Sequence, residues 1–579
     1  MSPSTIMQVR LLNNIAAPEG VILGYSYRGE LLTGVTLSGP VAGTVNYAYD
    51  ANYRITQDTV QGSVINYRYD VDDALIQAGE LALTYDAASG LLNGTTLANV
   101  SDRHAYNEFG EPISYTASLT SSVLYGAIYH YDKLGRIISE IENISGATTS
   151  FGYRYDAAGR LDQVQQNGAT IATYSYDANG NRTGGPGGVI GTYDAQDRLL
   201  TYGNVNYGYT ANGELLTRTE NGQTTTYDYD VMGNLMGVTL PDGTQITYLI
   251  DGQDRRIGKK VNGTLVQGFL YQDQLNPIAE LDGSGNLVSR FIYGSRGHVP
   301  DYIIQGGNTY RIISDHLGSV RLVVNTQTGE IVQQMDYDAF GNVFLDTNPG
   351  LQPFGFAGGL YDNDTHLVRF GARDYDAEVG RWTTKDPIGF ESGNTNLYTY
   401  VGNDPVNLID PSGKIVPLLL GAWALIEIGL SIADAVSTAQ TLADPCASFN
   451  EKALASGLFI LGIFAPGGGY STAARAPKLL NPPIKMTKKG LQHVLDRHTY
   501  SGISKYAKRS KFSPGENVEE LIQSATQMPM TRQANGNYQR IVKANRTIGI
   551  DRTTGQPTDM YTVITDSNYN LVTAFPGVP

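Results

Sequence analysis

The sequence predicts a mostly β fold of repeated hairpins, followed by an apolar helical segment and a small α+β domain. Gly (67 residues) and Tyr (39) are heavily used, and charged residues make up only 17% of the chain. This balance is typical of a turn-rich β protein, because aromatic residues favour strands and Gly favours turns. A Tyr-Asp dipeptide recurs through much of the chain, and the composition changes after Gly413. At 579 residues the chain is too long for one ordinary domain.

The repeat is the strongest signal in the sequence. Three copies are especially clear, namely YDKLGRI at Tyr131, YDAAGRL at Tyr155 and YDANGNR at Tyr176, and YTANGEL at Tyr209 is a degenerate copy. Where no copy is skipped, the spacing is between 16 and 24 residues. The Tyr-Asp dipeptides, most of them followed shortly by Gly, begin at Tyr49, Tyr69, Tyr85, Tyr131, Tyr155, Tyr176, Tyr193 and Tyr229.

Each repeat has the pattern of a hairpin. The residues before Asp alternate, as in Tyr174-Ser175-Tyr176, which is the period of a strand. Asp then enters a turn, where its carboxylate can accept hydrogen bonds from nearby backbone N–H groups. The Gly that follows supplies the positive φ that the turn needs. One such hairpin cannot bury its own apolar face, so we expect the repeats to stack on one another.

The motif and its spacing closely resemble the YD repeats of the RHS family, which includes teneurins and insecticidal Tc toxin components. The resemblance covers residues 25–413 and implies a spiralled β-sheet that forms a hollow cocoon. We expect a YD-repeat shell over 1–350 and an RHS core over 351–413 that plugs and closes the cocoon. In this interpretation the repeated Tyr and Asp residues build the shell and do not catalyse.

The tract 373–413 ends in Asp410-Pro411-Ser412-Gly413, and an earlier Asp-Pro occurs at Asp386. Two aspartates close together in a dry space cannot both ionise easily, so one can act as acid and the other as base on water. The family resemblance implies that Asp386 and Asp410, supported by Arg373, cut the chain after Lys414. The alternative is that both aspartates only form turns, since Asp-Pro is a common turn sequence.

The chain departs from the family pattern at two places in this tract. The family usually has Leu where this chain has Lys414, and its Gly-Gly element is altered over 391–394.

The region 414–484 reads as an apolar helical segment and a linker. Residues 415–433 are nearly long enough to span a bilayer but contain Glu427, whereas 453–465 are too short. These residues predict either two helices buried in protein or transient contact with a membrane through 415–465. Residues 467–483 are rich in Gly, Ala and Pro, as a linker is.

The tail, 485–579, carries 13 Lys and Arg against 7 Asp and Glu, a net charge of +6, which leaves −21 for the remainder. A basic domain on an acidic body favours a polyanionic partner for the tail, although an accidental surface bias is the alternative. The single Cys446 excludes intramolecular disulfides and C-x-x-C metal sites. The start of the sequence lacks a signal-peptide pattern, which predicts synthesis in the bacterial cytoplasm and delivery by another route.

We predict that the tail is helix, helix, then an antiparallel sheet. Thr487 can cap a first helix that places Leu491, Val494 and Leu495 on one face, with His493 and Arg497 together on another. The predicted helices are 488–498 and 515–527, and the predicted strands are 538–543, 546–551, 561–565 and 570–575.

The tail holds the residue types needed to cleave RNA without metal. This chemistry requires a base for the 2′-OH, an acid for the leaving oxygen and cations for the phosphorane. His suits the first two roles and Arg or Lys the third. No H-E-x-x-H, HNH-like or paired Cys/His set occurs, so a metal nuclease is less favoured and no cofactor is expected. The candidates are His493 and His498 for proton transfer, and Lys511, Arg540, Lys543 and Arg546 for phosphate.

The tail also resembles ribonuclease toxins with a barnase/EndoU/colicin/RelE-like fold, through GLQHVLDRH at Gly490, KRSKF at Lys508, RTIGIDRTTGQPT at Arg546 and YTVITDSNYNLVTAFP at Tyr561. The resemblance implies His493 or His498 as general base or acid and Arg497 and Arg540 on the phosphate. It also places Thr562 and Thr573 along the site. The alternative for each His is that it caps or packs the first helix.

Together these features predict an RHS-type polymorphic toxin used between competing bacteria. Its expected partners are RNA, with tRNA as one candidate, a cognate immunity protein, and a secretion-system component or other delivery partner. The main rival is a surface adhesion or carbohydrate-binding protein with exposed aromatic residues and a harmless tail. A third interpretation changes the target to DNA or to a deaminase substrate, but a deaminase needs a zinc-binding Cys/His set that Cys446 alone cannot supply.

Overall fold

The computed structural model describes residues 11–392, 394–414, 418–419, 484–486, 488–499, 510–514, 516–525, 531–532, 537–544, 546–551, 554–566 and 569–577. The chain divides into two compact units, Met1–Thr472 and Ala473–Pro579. The predicted mostly β fold with large antiparallel sheets is confirmed.

The first sheet has sixteen strands, each hydrogen-bonded to the next along the chain. Its strands are β1 (Asn14–Ala16), β2 (Ile22–Arg28), β3 (Leu31–Ser38), β4 (Gly43–Tyr49), β5 (Ile55–Val60), β6 (Ser63–Tyr69), β7 (Leu75–Ala78), β8 (Leu81–Tyr85), β9 (Leu92–Leu97), β10 (Val100–Tyr106), β11 (Pro112–Leu119), β12 (Ser122–Tyr131), β13 (Ile137–Ile144), β14 (Ala147–Tyr155), β15 (Leu161–Gln166) and β16 (Ala169–Thr173). A hairpin of β17 (Ser175–Tyr176) and β18 (Arg182–Gly184) follows.

The second sheet repeats this sequential order with sixteen further strands. They are β19 (Gly191–Tyr193), β20 (Leu199–Tyr202), β21 (Val205–Tyr209), β22 (Leu215–Glu220), β23 (Gln223–Tyr229), β24 (Leu235–Thr239), β25 (Gln245–Ile250), β26 (Arg256–Val261), β27 (Thr264–Tyr271), β28 (Pro277–Leu281), β29 (Leu287–Ile292), β30 (Tyr302–Gln305), β31 (Asn308–Ser314), β32 (Val320–Asn325), β33 (Ile331–Tyr337) and β34 (Val343–Asp346).

The turn of each repeat is built around its aspartate. In the copy at Tyr155, Asp156 Oδ1 accepts from the backbone N–H groups of Ala158 (2.9 Å) and Arg160 (3.0 Å). Its Oδ2 accepts from Arg160 Nε at 2.7 Å. Gly159 has φ +85°, the left-handed region that favours Gly. The predicted roles of Asp and Gly in the turn are therefore confirmed.

The tyrosine of most repeats bonds to the repeat before it, which the sequence did not reveal. Tyr176 donates its hydroxyl to the carbonyl of Leu161 at 2.7 Å, and the Arg160 guanidinium lies 4.8 Å from the centre of the Tyr176 ring. Leu161 comes directly after the turn of the preceding repeat, so Tyr176 fastens its own hairpin to that turn. The same bond is made by Tyr49, Tyr69, Tyr85, Tyr106, Tyr131, Tyr155, Tyr193, Tyr271, Tyr293 and Tyr337.

The two large sheets share buried cores. The largest core joins Leu37 and Val60 of the first sheet to Phe269 and Ile312 of the second. Three buried arginines of the second sheet also pair with carboxylates of the first, and we call these the cross-sheet ion pairs. They are Arg290–Asp58, Arg311–Asp102 and Arg321–Glu142.

The predicted core region forms a small sheet with an aromatic centre. Its strands are β35 (Leu360–Tyr361), β36 (Leu367–Phe370), β37 (Arg373–Asp376) and β38 (Arg381–Trp382). Phe370, Tyr375, Trp382 and Tyr400 pack on one another and are buried.

Five 3-10 turns occur in the described part of the first unit, at Pro18–Gly20, Pro186–Gly188, Phe356–Gly358, Gly389–Ser392 and Val401–Asn403.

Most of the predicted helical segment 415–465 and the linker 467–483 lie outside the described residues. Inside that segment, Leu418–Leu419 form a strand, β40, which pairs with β39 (Leu408–Ile409). These two residues are therefore not helical as expected, because the backbone of β39 offers them a partner. In the part of the chain that the structure describes, no helix is long and apolar enough to cross a bilayer.

The tail unit confirms the predicted α+β order and corrects some bounds. Helix α1 (Lys488–His498) has the predicted ends. Helix α2 (Val518–Ser524) begins later than predicted, because the Asn517 side chain accepts from the Glu520 N–H and caps it. The strands are β41 (Lys511–Phe512), β42 (Thr531–Arg532), β43 (Tyr538–Lys543), β44 (Gly549–Ile550), β45 (Pro557–Thr558), β46 (Met560–Thr565) and β47 (Leu571–Pro576).

The tail strands form two sheets, ordered β42-β43-β46-β47 and β41-β44-β45. The strand predicted over 546–551 is only Gly549–Ile550, and β41 was not predicted. Both are two-residue strands that pair with each other, which is too short for a periodic sequence signal.

Candidate functional site

The structure brings Asp386 and Asp410 to the same nitrogen of Arg373. Arg373 Nη2 lies 3.0 Å from Asp386 Oδ2 and 3.2 Å from Asp410 Oδ2. Arg373 begins β37, and all three side chains are at least nine-tenths buried. Three residues separated in the sequence thus form one buried cluster of two carboxylates and one cation.

Further contacts enclose the Arg373 guanidinium. It stacks 4.0 Å from the centre of the Trp382 ring, and it donates to the carbonyls of Leu397 (3.4 Å) and Gly413. Burial lowers the pKa of Arg373, and Asp410 and Asp386 oppose that shift. Sequence reasoning missed Trp382, although one of only two Trp residues in the chain falls inside this tract.

The Asp-Pro-Ser-Gly turn presents the predicted cleavage segment. Asp410 Oδ1 accepts from the Ser412 hydroxyl (3.0 Å) and from the Lys414 N–H (3.3 Å). Gly413 has φ +65°, and a Cβ there would lie 2.4 Å from the Phe370 carbonyl oxygen, so only Gly fits. Asp410 therefore forms a turn and also contacts Arg373. Ile415 lies outside the described residues, as does Gly393 in the altered 391–394 element.

In the tail, His498 is packed and His493 is more accessible. His498 is 5% exposed, its Nδ1 lies 2.9 Å from the Ser510 carbonyl, and its ring centre lies 5.7 Å from that of Phe575. A carbonyl only accepts, so Nδ1 carries the proton and donates. His493 lies on the same helix and is half-buried, as is Arg497. The arrangement favours His493 over His498 as the residue open to a substrate.

The predicted phosphate-binding cations differ in their contacts. Lys511 is buried and donates through Nζ to the carbonyls of Arg497 (2.9 Å) and Thr499 (3.1 Å), where it neutralises the end of α1. Burial lowers the pKa of Lys511. Arg546 pairs with Glu516 at 2.7 Å, whereas the Lys543 side chain is 73% exposed and lies 3.9 Å from Asp559.

Arg540 lies on the opposite face of the tail sheet from Thr562 and Thr573. Arg540 pairs with Val563 in the register of β43 and β46, so it shares the face that contains Val563. Thr562 alternates with Val563 and therefore points the other way, as does Thr573. Arg540 is fully buried, and burial lowers the pKa of its guanidinium. The Thr562 hydroxyl donates to the Gly577 carbonyl at 2.8 Å.

Among the described residues, no group of three or more His, Cys, Asp or Glu side chains is arranged to hold a metal ion. The catalytic and phosphate-binding roles of the tail residues remain predictions.

The fold is that of a repeat β protein with two sixteen-stranded sheets, in which each strand pairs with the next along the chain. In the core tract that follows, Arg373 contacts both Asp386 and Asp410. The family model described as "Teneurin YD-shell" matches residues 4–406. The chain belongs to this family.

Curated relatives match the same region. Teneurin-4 of Homo sapiens is 31% identical over 399 residues, which is 64% of this chain and 14% of that protein. The tRNA nuclease WapA of Bacillus subtilis is 27% identical over 389 residues, 64% of this chain and 16% of that protein. The matched stretch is thus about a seventh of the length of these relatives.

Solved structures show the same fold. The Tc holotoxin pore of Photorhabdus luminescens superposes with a TM-score of 0.57 at 18% identity, over 69% of this chain and 23% of that one. The crystal structure of TcdB2-TccC3 gives 0.54 at 21% identity, over 65% and 22%.

Proposed function

We propose that this chain is an RHS-type polymorphic toxin, in which a YD-repeat shell carries a ribonuclease tail and cuts itself free of it after Lys414. The proposal rests on the contacts of Arg373, because one of its nitrogens lies beside both Asp386 and Asp410. Asp410 itself is only four residues before the predicted cut after Lys414. The relative named as a tRNA nuclease and the Tc structures, which share the fold, add support.

In the proposed self-cleavage one carboxylate takes a proton from water, and the water oxygen attacks the Lys414 carbonyl carbon. The other carboxyl, in its protonated form, gives its proton to the leaving nitrogen, so the C–N bond breaks as the C–O bond forms. Arg373 holds both in place and offsets their charge.

The proposed ribonuclease uses His493 in proton transfer and nearby cations on the phosphate. His493 is half-buried on α1, with Arg497 one turn further along. An imidazole side chain can both accept and donate a proton, which suits a general base and acid. By this proposal the substrate is RNA of a competitor cell, with tRNA as the first candidate, and a delivery partner and an immunity protein act with the chain.

Self-cleavage is tested on the freshly purified full chain by gel electrophoresis and intact mass. Two fragments that meet after Lys414 are expected, and Asp386→Asn, Asp410→Asn and Arg373→Met should each leave one intact chain. Asp404→Asn is the matched control, because Asp404 is also buried and also precedes Pro. An unaltered chain that stays whole would refute self-cleavage.

Ribonuclease activity is tested by incubating the same protein with tRNA, total RNA and duplex DNA in excess EDTA. RNA should be cut, and His493→Ala should abolish cutting while Lys489→Ala, an exposed change on the same helix, should not. If no nucleic acid is cut with EDTA or with divalent metal restored, the nuclease proposal fails and the adhesion alternative gains weight.

A further inference from the structure

Two tyrosines stack at one end of the tail sheet. The ring centres of Tyr538 and Tyr569 are 5.5 Å apart with the planes at 30°. Tyr538 begins β43, opposite Thr565 at the end of β46, and Tyr569 lies in the turn that leads into β47. Both side chains are half-buried, so one surface of the pair reaches solvent.

The backbone holds Tyr569 in a conformation that its side chain disfavours. Tyr569 has φ +63°, the left-handed region, and the equivalent position of the shell turns holds Gly in some copies, such as Gly159 (+85°), and another residue in others, such as Tyr53 (+64°). Its N–H donates to the Asp566 carbonyl (3.0 Å), and its carbonyl accepts from the Lys485 N–H (2.9 Å). These two bonds fix the backbone that carries the Tyr569 ring.

Positive charge lies beside this pair. The Lys485 side chain is exposed. Its backbone N–H donates to the Tyr569 carbonyl, and its carbonyl accepts from the Leu571 N–H. Arg540, two residues beyond Tyr538 on the same face of the sheet, is fully buried, so Lys485 is the cation that can reach a phosphate. An aromatic surface next to an exposed cation is the combination that binds unpaired bases together with their phosphates.

We propose that Tyr538 and Tyr569 form a stacking platform for an unpaired base of single-stranded RNA, with Lys485 on the adjoining phosphate. This inference rests on the proposed ribonuclease function of the tail and names the form of RNA that it accepts. Single-stranded segments expose the base faces that a stacking site needs, whereas a duplex hides them.

The test measures binding of the full chain to a fluorescein-labelled 2′-O-methyl RNA oligonucleotide by anisotropy in EDTA. The probe lacks the 2′-OH, so it cannot be cut by the proposed chemistry. Tyr569→Gly keeps the backbone conformation and removes the ring, and it should weaken binding by about tenfold, the usual scale for one stacked base. Tyr569→Phe should bind like the unaltered chain, and Lys485→Met should reduce the salt dependence.

Tyr53→Gly is the matched control, because Tyr53 has φ +64° and is 75% exposed in a shell turn. Unchanged binding in both Tyr569→Gly and Tyr538→Leu overturns the platform, and it leaves the ribonuclease proposal intact if His493→Ala still abolishes cutting. Equal losses for single-stranded and duplex probes also count against the platform. An unaltered chain that neither binds nor cuts RNA overturns the inference and the proposed function together.

Discussion

Arg311 on β31 donates to Asp102 on β10 at 2.6 Å, and both side chains are almost fully buried although they come from different sheets. Arg311 also donates to Asp301 at 2.9 Å, so one guanidinium joins two carboxylates. The Thr95 N–H and hydroxyl donate to the Asp102 carboxylate. The pair is therefore fully bonded, and removal of either member would leave a buried charge.

Arg311→Met should destabilise the shell by about 3–5 kcal/mol, because it leaves Asp102 and Asp301 buried without their cation. The urea midpoint of the full chain measures this. Arg154→Met is the control, since Arg154 pairs with Asp162 at the surface and its side chain is 61% exposed. Equal midpoints for the two variants would show that the cross-sheet ion pairs do not hold the sheets together.

Tyr176→Phe should cost about 1 kcal/mol, because it removes only the hydroxyl that donates to Leu161 and leaves that carbonyl without its partner. Burial raises the pKa of Tyr176, so the hydroxyl remains a donor in alkaline buffer. Thermal unfolding at pH 7 and pH 9 should show the same loss. Tyr53→Phe, at an exposed turn, should not shift the transition.

Glu140 should make the shell less stable as the pH rises. Burial, followed by the nearby Glu142 and Asp315, raises the pKa of Glu140 from 4.5 to about 8. The folded state thus favours the proton, and this stabilisation is present below pH 4.5 and lost as the pH rises through 8. Glu140→Gln should raise the melting temperature at pH 8 by roughly 2–4 °C and change little at pH 4.5.

Glu330→Gln is the control for that comparison, because Glu330 is exposed in a loop. A gain from Glu140→Gln that is the same at both pH values would contradict the raised pKa.

Gly413→Ala should slow self-cleavage by about a hundredfold, the scale of loss for a displaced reacting group. Its Cβ would meet the Phe370 carbonyl oxygen at 2.4 Å and displace the turn next to Asp410. Gly402→Ala has the same left-handed backbone (φ +63°) but meets nothing within 4 Å, so it should cleave normally. Samples taken over time and denatured at once for gel electrophoresis give both cleavage rates. Similar rates for the two variants would show that the conformation of the Gly413 turn does not affect self-cleavage.

The sequence predicted what depends on neighbouring residues. Asp156 and Gly159 are three residues apart, and the turn they form follows from local chemistry alone. Helix α1 was likewise predicted with its observed ends, because its apolar residues recur at helical spacing. That Asp386, Asp410 and Arg373 act together was predicted from a family motif, because their spacing in the sequence does not indicate a contact.

Contacts between distant residues could not be predicted in this way. Arg311 and Asp102 are separated by 209 positions, and nothing in either segment indicates the other. In the tail, Arg540 and Thr562 were assigned to one site, but the register of β43 and β46 places them on opposite faces. One residue of register decides the face, and it is fixed by packing that a single sequence does not display.

The bond that most repeat tyrosines make to the turn before them bears on how such a chain can change in length. A whole hairpin can be gained or lost and the flanking tyrosine still meets an equivalent carbonyl, since the turns that accept this bond offer the carbonyl at the same position. An insertion of part of a hairpin would turn the tyrosine hydroxyl toward a different backbone group. An insertion of one residue in a strand would also move the side chains of that strand to the opposite face of the sheet. Shells of different sizes are therefore expected to differ by complete repeats, and natural length variants should have their gene breakpoints in phase with the turns.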